Sequence, residues 1–146
     1  MVKIRPYKHT DRYQFEKLVT AHYLELKETP PDFQKIIDTI GFFTSLPQCG
    51  KIYIIFYENN PIGYAVIANI WKLKEGKISY KIEELYINKN YKKFKLEVKL
   101  IELLIKQEKV HSISIKLDKN CSRKTFRFFN FEKDFGPYFT KVIDEE

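Results

Sequence analysis

The sequence predicts a single α+β domain, and three observations support that prediction. The chain has 146 residues, 44% of them hydrophobic and 16% aromatic, so it is long enough to bury one core. Residues 51–57 and 62–71 are β-rich and flank the sequence ENNP, which predicts an antiparallel hairpin turning at Asn59 and Asn60. Residues 94–108 carry two apolar stripes at helical spacing, as expected of a crossover helix covered on both sides.

The residues before the hairpin are predicted to form a strand and two helices. Residues 2–6 are typical of a short strand, and Thr10 or Asp11 can cap the first helix, which carries His22 on its apolar face. A second short helix follows Pro30 and Pro31, and residues 41–50 are expected to form a loop. The apolar positions of the two helices are Phe15, Leu18, Val19, Tyr23 and Leu26, and Phe33, Ile36, Ile37 and Ile40.

The strand that follows the turn at residues 74–76 contains a break in its alternation. Apolar residues alternate up to Ile82 and resume at Leu85, so the period-2 phase slips by one residue at Glu83 and Glu84. A β-bulge accounts for the slip, and we expect the strand to diverge there from the strand of residues 111–117. A helix over residues 121–129 and a last strand over residues 138–143 complete the predicted order.

Composition narrows the expected partners and compartments. The net charge of +7 suits an anionic partner, but without a recognition motif it favours nucleic acid only weakly. Cys49 and Cys121 fall in no metal-ligand spacing, so we expect no metal site, no disulfide and a reducing cytoplasm. No run of about eighteen apolar residues is present, so no membrane association is expected. The sequence does not decide whether the protein is a monomer or a homodimer.

Three segments, NNPIGYAV, WKLKEGKISYKIEELYI and NCSRKTFRFFNF, occur within this order of elements. Together they resemble the GNAT N-acetyltransferases over nearly the whole chain, namely the Gly-Tyr hairpin, the cofactor-facing strand and the penultimate helix of that family. Asn130 stands where the family has a glycine, and Asn tolerates the left-handed conformation. The resemblance implies an α/β/α-type fold with a mixed, mostly antiparallel sheet of six to seven strands, helices on both faces, a bulged central strand and a splayed strand pair.

The resemblance also implies an acetyl-CoA site. The family motif Q/R-x-x-G-x-G/A falls on Lys92, Lys95 and Glu97, so charged side chains fill both small positions. We expect Glu97 to place a negative charge in the first turn of the helix, where it repels phosphate, and the lysines to supply point charges in place of backbone donors. The implied cofactor-binding residues are Leu85, Tyr86, Ile87, Lys92, Lys93, Phe94, Lys95, Leu96, Glu97 and Asn120.

Glu83 or Glu84 matches the position of the family's catalytic base, although exposed carboxylates in a lysine-rich protein also serve simply as ion-pair partners. The family's tyrosine acid aligns with Phe126, so its hydroxyl is absent unless Tyr138 or Cys121 replaces it. The residues proposed to line the acceptor cleft are His22, a proton shuttle or a packing residue, and Tyr23, Trp71 and Tyr80, an aromatic wall or core residues.

Three functions follow from the sequence. The first is transfer of acetyl from acetyl-CoA to a primary amine of a small molecule or protein. The second is a noncatalytic GNAT-like binding or interaction protein that has lost efficient CoA binding. The third is binding of a polyanion or nucleic acid through the lysine-rich segment from Lys89 to Lys99.

Overall fold

The computed structural model describes residues 1–107, 110–115, 123–132 and 139–143, and these residues contain one sheet. Neighbouring strands in the sheet are antiparallel, except that β4 and β5 run parallel and are joined by the crossover helix α3 (Lys93–Ile105). The strand order is β1 (Val2–Pro6), β2 (Gly50–Tyr57), β3 (Asn60–Lys72), β4 (Lys77–Ile87) and β5 (Val110–Ile115).

The mixed, mostly antiparallel α+β architecture is confirmed, with a smaller sheet than expected. Five strands are found in the described ranges, rather than six to seven. Residues 139–143, expected to belong to a last strand, are not in a strand, and Phe139 and Ile143 are exposed instead of packing on the sheet. Tyr138, the first residue of that predicted strand, lies outside the described residues.

Helices cover both faces of the sheet, as predicted. Strand alternation sends successive side chains to opposite faces, and each face packs against its own helices. The face that meets α1 (Arg12–Glu25) and α2 (Phe33–Ser45) includes Phe15, Leu18, Val19, Ile36, Ile52, Ile54, Tyr64, Val66 and Tyr86. The face that meets α3 includes Tyr53, Ile55, Ala65, Ile67, Ile82, Leu85, Ile87, Leu96, Leu100, Ile101 and Leu104.

The predicted bulge in β4 is confirmed. Val66 pairs with Glu84 and Ile67 pairs with Ile82, so Glu83 is the extra residue. The bulge follows directly on the last recorded pair between β4 and β5, which is Ile82 with Ile115. The residues that would continue β5 start at 116 and lie outside those described, so the divergence of the two strands stays a prediction.

The predicted loop over residues 41–50 is wrong in its first half. Asp32 caps α2 by accepting a hydrogen bond from the Lys35 amide at 2.9 Å, and the helix continues to Ser45. Phe43 packs against the core and extends the apolar face, while Gly41 has open space around it, so nothing ends the helix there. The hairpin turn is also one residue earlier than predicted, since Glu58 and Asn59 have the positive φ values.

Asp11 immediately precedes α1 but does not cap it with its side chain. Its carboxylate accepts two hydrogen bonds from the Arg5 guanidinium, at 2.7 and 2.9 Å, and one from the Lys8 amide at 2.7 Å. The pair therefore ties β1 to the start of α1. Within the described ranges, no helix is both long enough and apolar enough to span a membrane.

Candidate active site

Three elements converge on the carboxylate of Glu84. The bulge in β4 turns this side chain towards α1, where Tyr23 donates its hydroxyl hydrogen to Oε2 at 2.6 Å. Tyr64 of β3 donates to the other oxygen, Oε1, at 2.7 Å. The Glu84 side chain keeps 32% of its surface exposed, so the carboxylate is held from one side and open from the other.

His22 extends this hydrogen-bonded group into the core. Its Nδ1 lies 2.7 Å from the Tyr64 hydroxyl, and its ring stacks on Tyr86 at 5.2 Å between centroids. Because Tyr64 gives its single hydrogen to Glu84, the hydroxyl oxygen accepts from His22, which therefore carries hydrogen on Nδ1. His22 is buried, so it acts on the open side of the site only through Tyr64 and Glu84.

The surroundings favour an ionised Glu84. Burial raises the pKa of this carboxyl, but the approach of His22, whose Nδ1 lies 3.7 Å from Oε1, and the hydrogen bonds from Tyr23 and Tyr64 outweigh it and leave the pKa below its ordinary value. Burial raises the pKa values of the Tyr23 and Tyr64 hydroxyls, which the hydrogen bonds to Glu84 raise further. Both tyrosines are therefore neutral donors at neutral pH.

Glu83 has a different environment from its neighbour. Its carboxylate forms an ion pair with Lys81 at 2.8 Å, and both side chains are substantially exposed. A pair of this kind contributes little to stability and leaves Glu83 engaged with a lysine. Of the two carboxylates that the sequence singled out, Glu84 is the one set among the side chains of α1 and β3.

The strand residues after Glu84 are positioned by an unusually close approach of β3. Leu85, Tyr86 and Ile87 are buried and pair with β3 on one side. A Cβ on Gly63 would lie 2.2 Å from the Tyr86 carbonyl oxygen, so glycine is required there. On the other side, no pairing of residues 83–87 is found in the part of the chain that the structure describes.

The start of α3 carries three lysines. Lys92 is the N-cap residue and makes no capping hydrogen bond through its side chain, and the first turn contains no acidic residue. Lys93 is half-buried, whereas Lys92 and Lys95 are exposed and border a cavity of about 430 Å³. The cavity is lined by Val2, Tyr57, Asn90, Tyr91, Lys92, Lys95 and Leu96.

Glu97 is not in the first turn of α3, and that prediction was wrong. The helix begins at Lys93, which makes Glu97 its fifth residue. Glu97 shares a helix face with Leu100 and Ile101, is 2% exposed and accepts a hydrogen bond from the Thr125 hydroxyl of α4 (Arg123–Phe128) at 2.6 Å. Its carboxylate is therefore part of the α3–α4 packing.

Phe94 also lies between α3 and α4, whereas Phe126 of α4 packs on the residues that follow that helix. The Phe94 ring contacts Phe128 at 5.7 Å, with the Lys124 ammonium 4.6 Å from its centre. The Phe126 ring contacts the Phe131 ring. Asn130, the residue before Phe131, has a left-handed φ of 57°, which confirms the prediction for the family's glycine position. Asn120, Cys121 and Tyr138 lie outside the described residues.

The predicted aromatic wall is wrong. Tyr80 packs on the α3 side of the sheet, whereas Tyr23 lies on the α1 side and bonds Glu84. Trp71 is 63% exposed near the end of β3, five residues beyond the partner of Glu84. Of the proposed cleft residues, the structure therefore brings only His22 and Tyr23 to Glu84.

Tyr64 is the site residue that the sequence reasoning missed. The sequence identifies it only as part of the Gly-Tyr pair of the hairpin. Tyr64 and Val66 lie on the same face of β3, but the register that pairs Val66 with Glu84 appears only in the structure. Among the described residues, no group of three or more His, Cys, Asp or Glu side chains could hold a metal ion.

No protein-family model and no curated protein matches the chain. Solved structures do match. A possible acetyltransferase from Clostridium difficile 630 superposes with a TM-score of 0.79 at 16% identity, covering 99% of each chain. A predicted acetyltransferase from Clostridium acetobutylicum, solved with acetyl-CoA, gives 0.76 at 13% identity and covers 97% of this chain and 96% of that one.

Glucosamine-6-phosphate N-acetyltransferase from Arabidopsis thaliana superposes with a TM-score of 0.70 at 15% identity, over 99% of each chain. Identities this low show the fold alone. The superpositions nevertheless cover 96–99% of each chain. The chain therefore has the fold of the GNAT N-acetyltransferases.

Proposed function

We propose that this protein transfers acetyl from acetyl-CoA to a primary amine. The observation that carries the proposal is the placement of Glu84, an ionised and partly open carboxylate beside a strand edge that has no described partner. A carboxylate next to an extended backbone ligand is what acyl transfer to an amine requires, because the amine must be bound and must lose a proton. The acetyltransferase neighbours support the same chemistry.

In the proposed reaction the amine nitrogen attacks the thioester carbonyl, a C–N bond forms and the C–S bond breaks. CoA leaves as a thiolate, and the proton lost by the amine passes to solvent or to the Glu84 region. The thiol of the leaving group has a pKa of about 8.5, so the thiolate can depart without being protonated by a strong acid. Phe126 at the position of the family's tyrosine therefore slows the reaction without preventing it.

Acetyl-CoA would be held by two parts of the chain. The backbone of Leu85, Tyr86 and Ile87 would bind the pantetheine arm along the edge of β4 that has no partner among the described residues. The N–H groups at the start of α3, with Lys92 and Lys95, would meet the phosphates. Because Glu97 is buried against Thr125, its charge is directed at α4, which removes one objection to phosphate binding.

The test is acetyl transfer from labelled acetyl-CoA to a panel of primary amines. We expect turnover by the parent protein, a strong loss in Glu84→Gln, and near-parent rates in the matched control Glu83→Gln, whose carboxylate pairs with Lys81. Equal losses in the two variants would show that the bulge and not Glu84 matters. The proposal is refuted if the protein is folded and binds CoA but acetylates no amine in the panel.

A noncatalytic binding role is the second candidate, and a specific observation favours it. Lys95 occupies a position where the family has glycine, and Phe126 lacks the acid hydroxyl. If calorimetry detects no CoA binding by the folded parent protein, this candidate replaces the enzyme.

Polyanion binding is the third candidate, favoured by the lysines around the 430 Å³ cavity. Salt-sensitive oligonucleotide binding by a parent protein that does not bind CoA would support it.

A further inference from the structure

We infer that Glu84 binds the acceptor as an ammonium ion, held in that role by Tyr23 and Tyr64, so that the substrate class is amines that are cations at neutral pH. This inference rests on the proposed acetyl transfer and names the acceptor of the same site. It differs from the expectation that Glu84 is a general base. Tyr64 acts in it as a positioning residue, because its fully buried hydroxyl reaches the acceptor only through Glu84.

The hydrogen-bond geometry leaves room for an ammonium. Each Glu84 oxygen accepts one tyrosine hydroxyl, at 2.6 and 2.7 Å, and a carboxylate offers about four acceptor positions in all. His22 Nδ1 also lies 3.7 Å from Oε1 on the buried side, but 32% of the Glu84 side chain is exposed, so the carboxylate keeps acceptor capacity for a further donor. An alkylammonium has three N–H donors and no acceptor, so it complements a carboxylate whose partners are all donors.

The donors point in one direction. His22 Nδ1–H donates to Tyr64, Tyr64 donates to Oε1, and Tyr23 donates to Oε2. A proton on Glu84 would weaken the two tyrosine bonds, because a neutral carboxyl group is a poorer acceptor than a carboxylate. The arrangement therefore stabilises the charged form and opposes protonation.

A carboxylate held in this way is a poor base for an alkylammonium. The ordinary pKa values of the two groups differ by about six units, and the hydrogen bonds on Glu84 widen that difference. Direct proton transfer to Glu84 is thus strongly uphill. Binding the cation and releasing its proton to water before attack is the role that the geometry supports.

The charged groups around Glu84 also favour a cation. Glu25, the last residue of α1, accepts a hydrogen bond from Tyr86, and the pKa of Tyr23, which burial raises, is raised further by the negative charge of Glu28, three residues after α1. Lys81 of β4 forms an ion pair with Glu83. A phosphorylated acceptor would place an anion beside a fixed carboxylate. The titratable groups that face Glu84 or lie near it are His22, Tyr23 and Glu25 of α1, Glu28 just after α1, Tyr64 of β3, and Lys81, Glu83 and Tyr86 of β4.

The kinetic test compares two small acceptors that differ in charge. Ethylamine is a cation at neutral pH, and 2,2,2-trifluoroethylamine is mostly uncharged. We expect Glu84→Gln to raise the KM for ethylamine roughly ten- to a hundredfold, from the loss of one charge-assisted contact, and to change the KM for trifluoroethylamine less than about twofold. A fall in kcat for both amines with unchanged KM values would overturn the inference and restore the general base.

A second measurement does not depend on turnover. Carbon-13 NMR of labelled glutamate carboxyls, with the Glu84 signal assigned by its loss in Glu84→Gln, follows its titration and its response to ethylammonium in the presence of CoA. We expect the parent signal to shift with ethylammonium and not with ethanol. Tyr64→Phe should raise the pH at which Glu84 titrates, and so move the acidic limb of kcat/KM to higher pH.

His22→Asn, which keeps a donor near Nδ1, should stay closer to the parent in this titration than His22→Leu does. A Glu84 signal that ignores ethylammonium, or that titrates at the same pH in the parent and in Tyr64→Phe, would overturn the inference. If ethylammonium shifts the signal but no amine is acetylated, the proposed function fails while the ammonium site stands. If amines are acetylated and the Glu84 signal does not respond to ethylammonium, the ammonium site fails while the proposed function stands.

Discussion

Replacing Glu97 separates two accounts of the α3 region. If this carboxylate blocked the phosphate site, its removal would tighten CoA binding and cost little stability. The structure instead buries it against the Thr125 hydroxyl at 2.6 Å. Losing one charge-assisted hydrogen bond and stranding a buried hydroxyl should destabilise Glu97→Ala by about 2–4 kcal/mol. For a chain of this length the melting temperature should fall by roughly 5–15 °C.

Urea denaturation of Glu97→Ala, Thr125→Val and the double variant measures the contact directly. We expect the two single effects to be non-additive, with a coupling of about 1.5–3 kcal/mol. Glu97→Gln should lose less stability than Glu97→Ala because its amide oxygen can still accept from Thr125, and exposed Glu102→Ala is the control on the same helix. Additive effects, or a Glu97→Ala protein that is fully stable and binds CoA more tightly, would refute this reasoning.

Three other variants test separate features. Gly63→Ala should lose about 1–3 kcal/mol in urea denaturation, because its Cβ would lie 2.2 Å from the Tyr86 carbonyl, whereas Gly41→Ala, with open space around it, should be neutral or stabilising. The hydrogen bond from Arg5 lowers the pKa of Asp11, so its contribution is present above about pH 4 and is lost as the pH falls through the lower folded value. Asp11→Asn should thus be less stable than the parent at neutral pH, with a gap that closes in acid; a constant gap would contradict the linkage. Lys95→Ala should weaken CoA binding roughly two- to fivefold at low salt and less at high salt, unlike Lys106→Ala at the other end of α3; equal effects in calorimetry would exclude a local contact.

Residue patterns predicted the order of strands and helices because each element is specified mainly by its own local sequence. The phase slip at Glu83 and Glu84 predicted the bulge, and Asn130 predicted a left-handed residue after α4. Predictions failed where tertiary packing overrides a local cue. Gly41 suggested the end of a helix, yet Phe43 finds a core to pack against and α2 continues.

Site residues were harder to predict because they depend on which face of an element meets which neighbour. Motif alignment placed Glu97 at the helix entrance, although its spacing from Leu100 and Ile101 puts it on the buried face. The aromatic wall failed for the same reason, since Tyr23 and Tyr80 lie on opposite faces of the sheet. Tyr64 becomes a site residue only through cross-strand register with β4, which the sequence does not state.

A crystal structure of the protein with acetyl-CoA tests the central claim most directly. The account predicts the pantetheine arm along the edge of β4 at Leu85–Ile87, the phosphates at the start of α3, and the thioester beside the Glu84 carboxylate. Acetyl-CoA bound elsewhere, for example with its phosphates and thioester both in the cavity between Val2 and Lys95, would contradict it. So would a CoA-saturated crystal in which the edge of β4 is filled by another part of the chain.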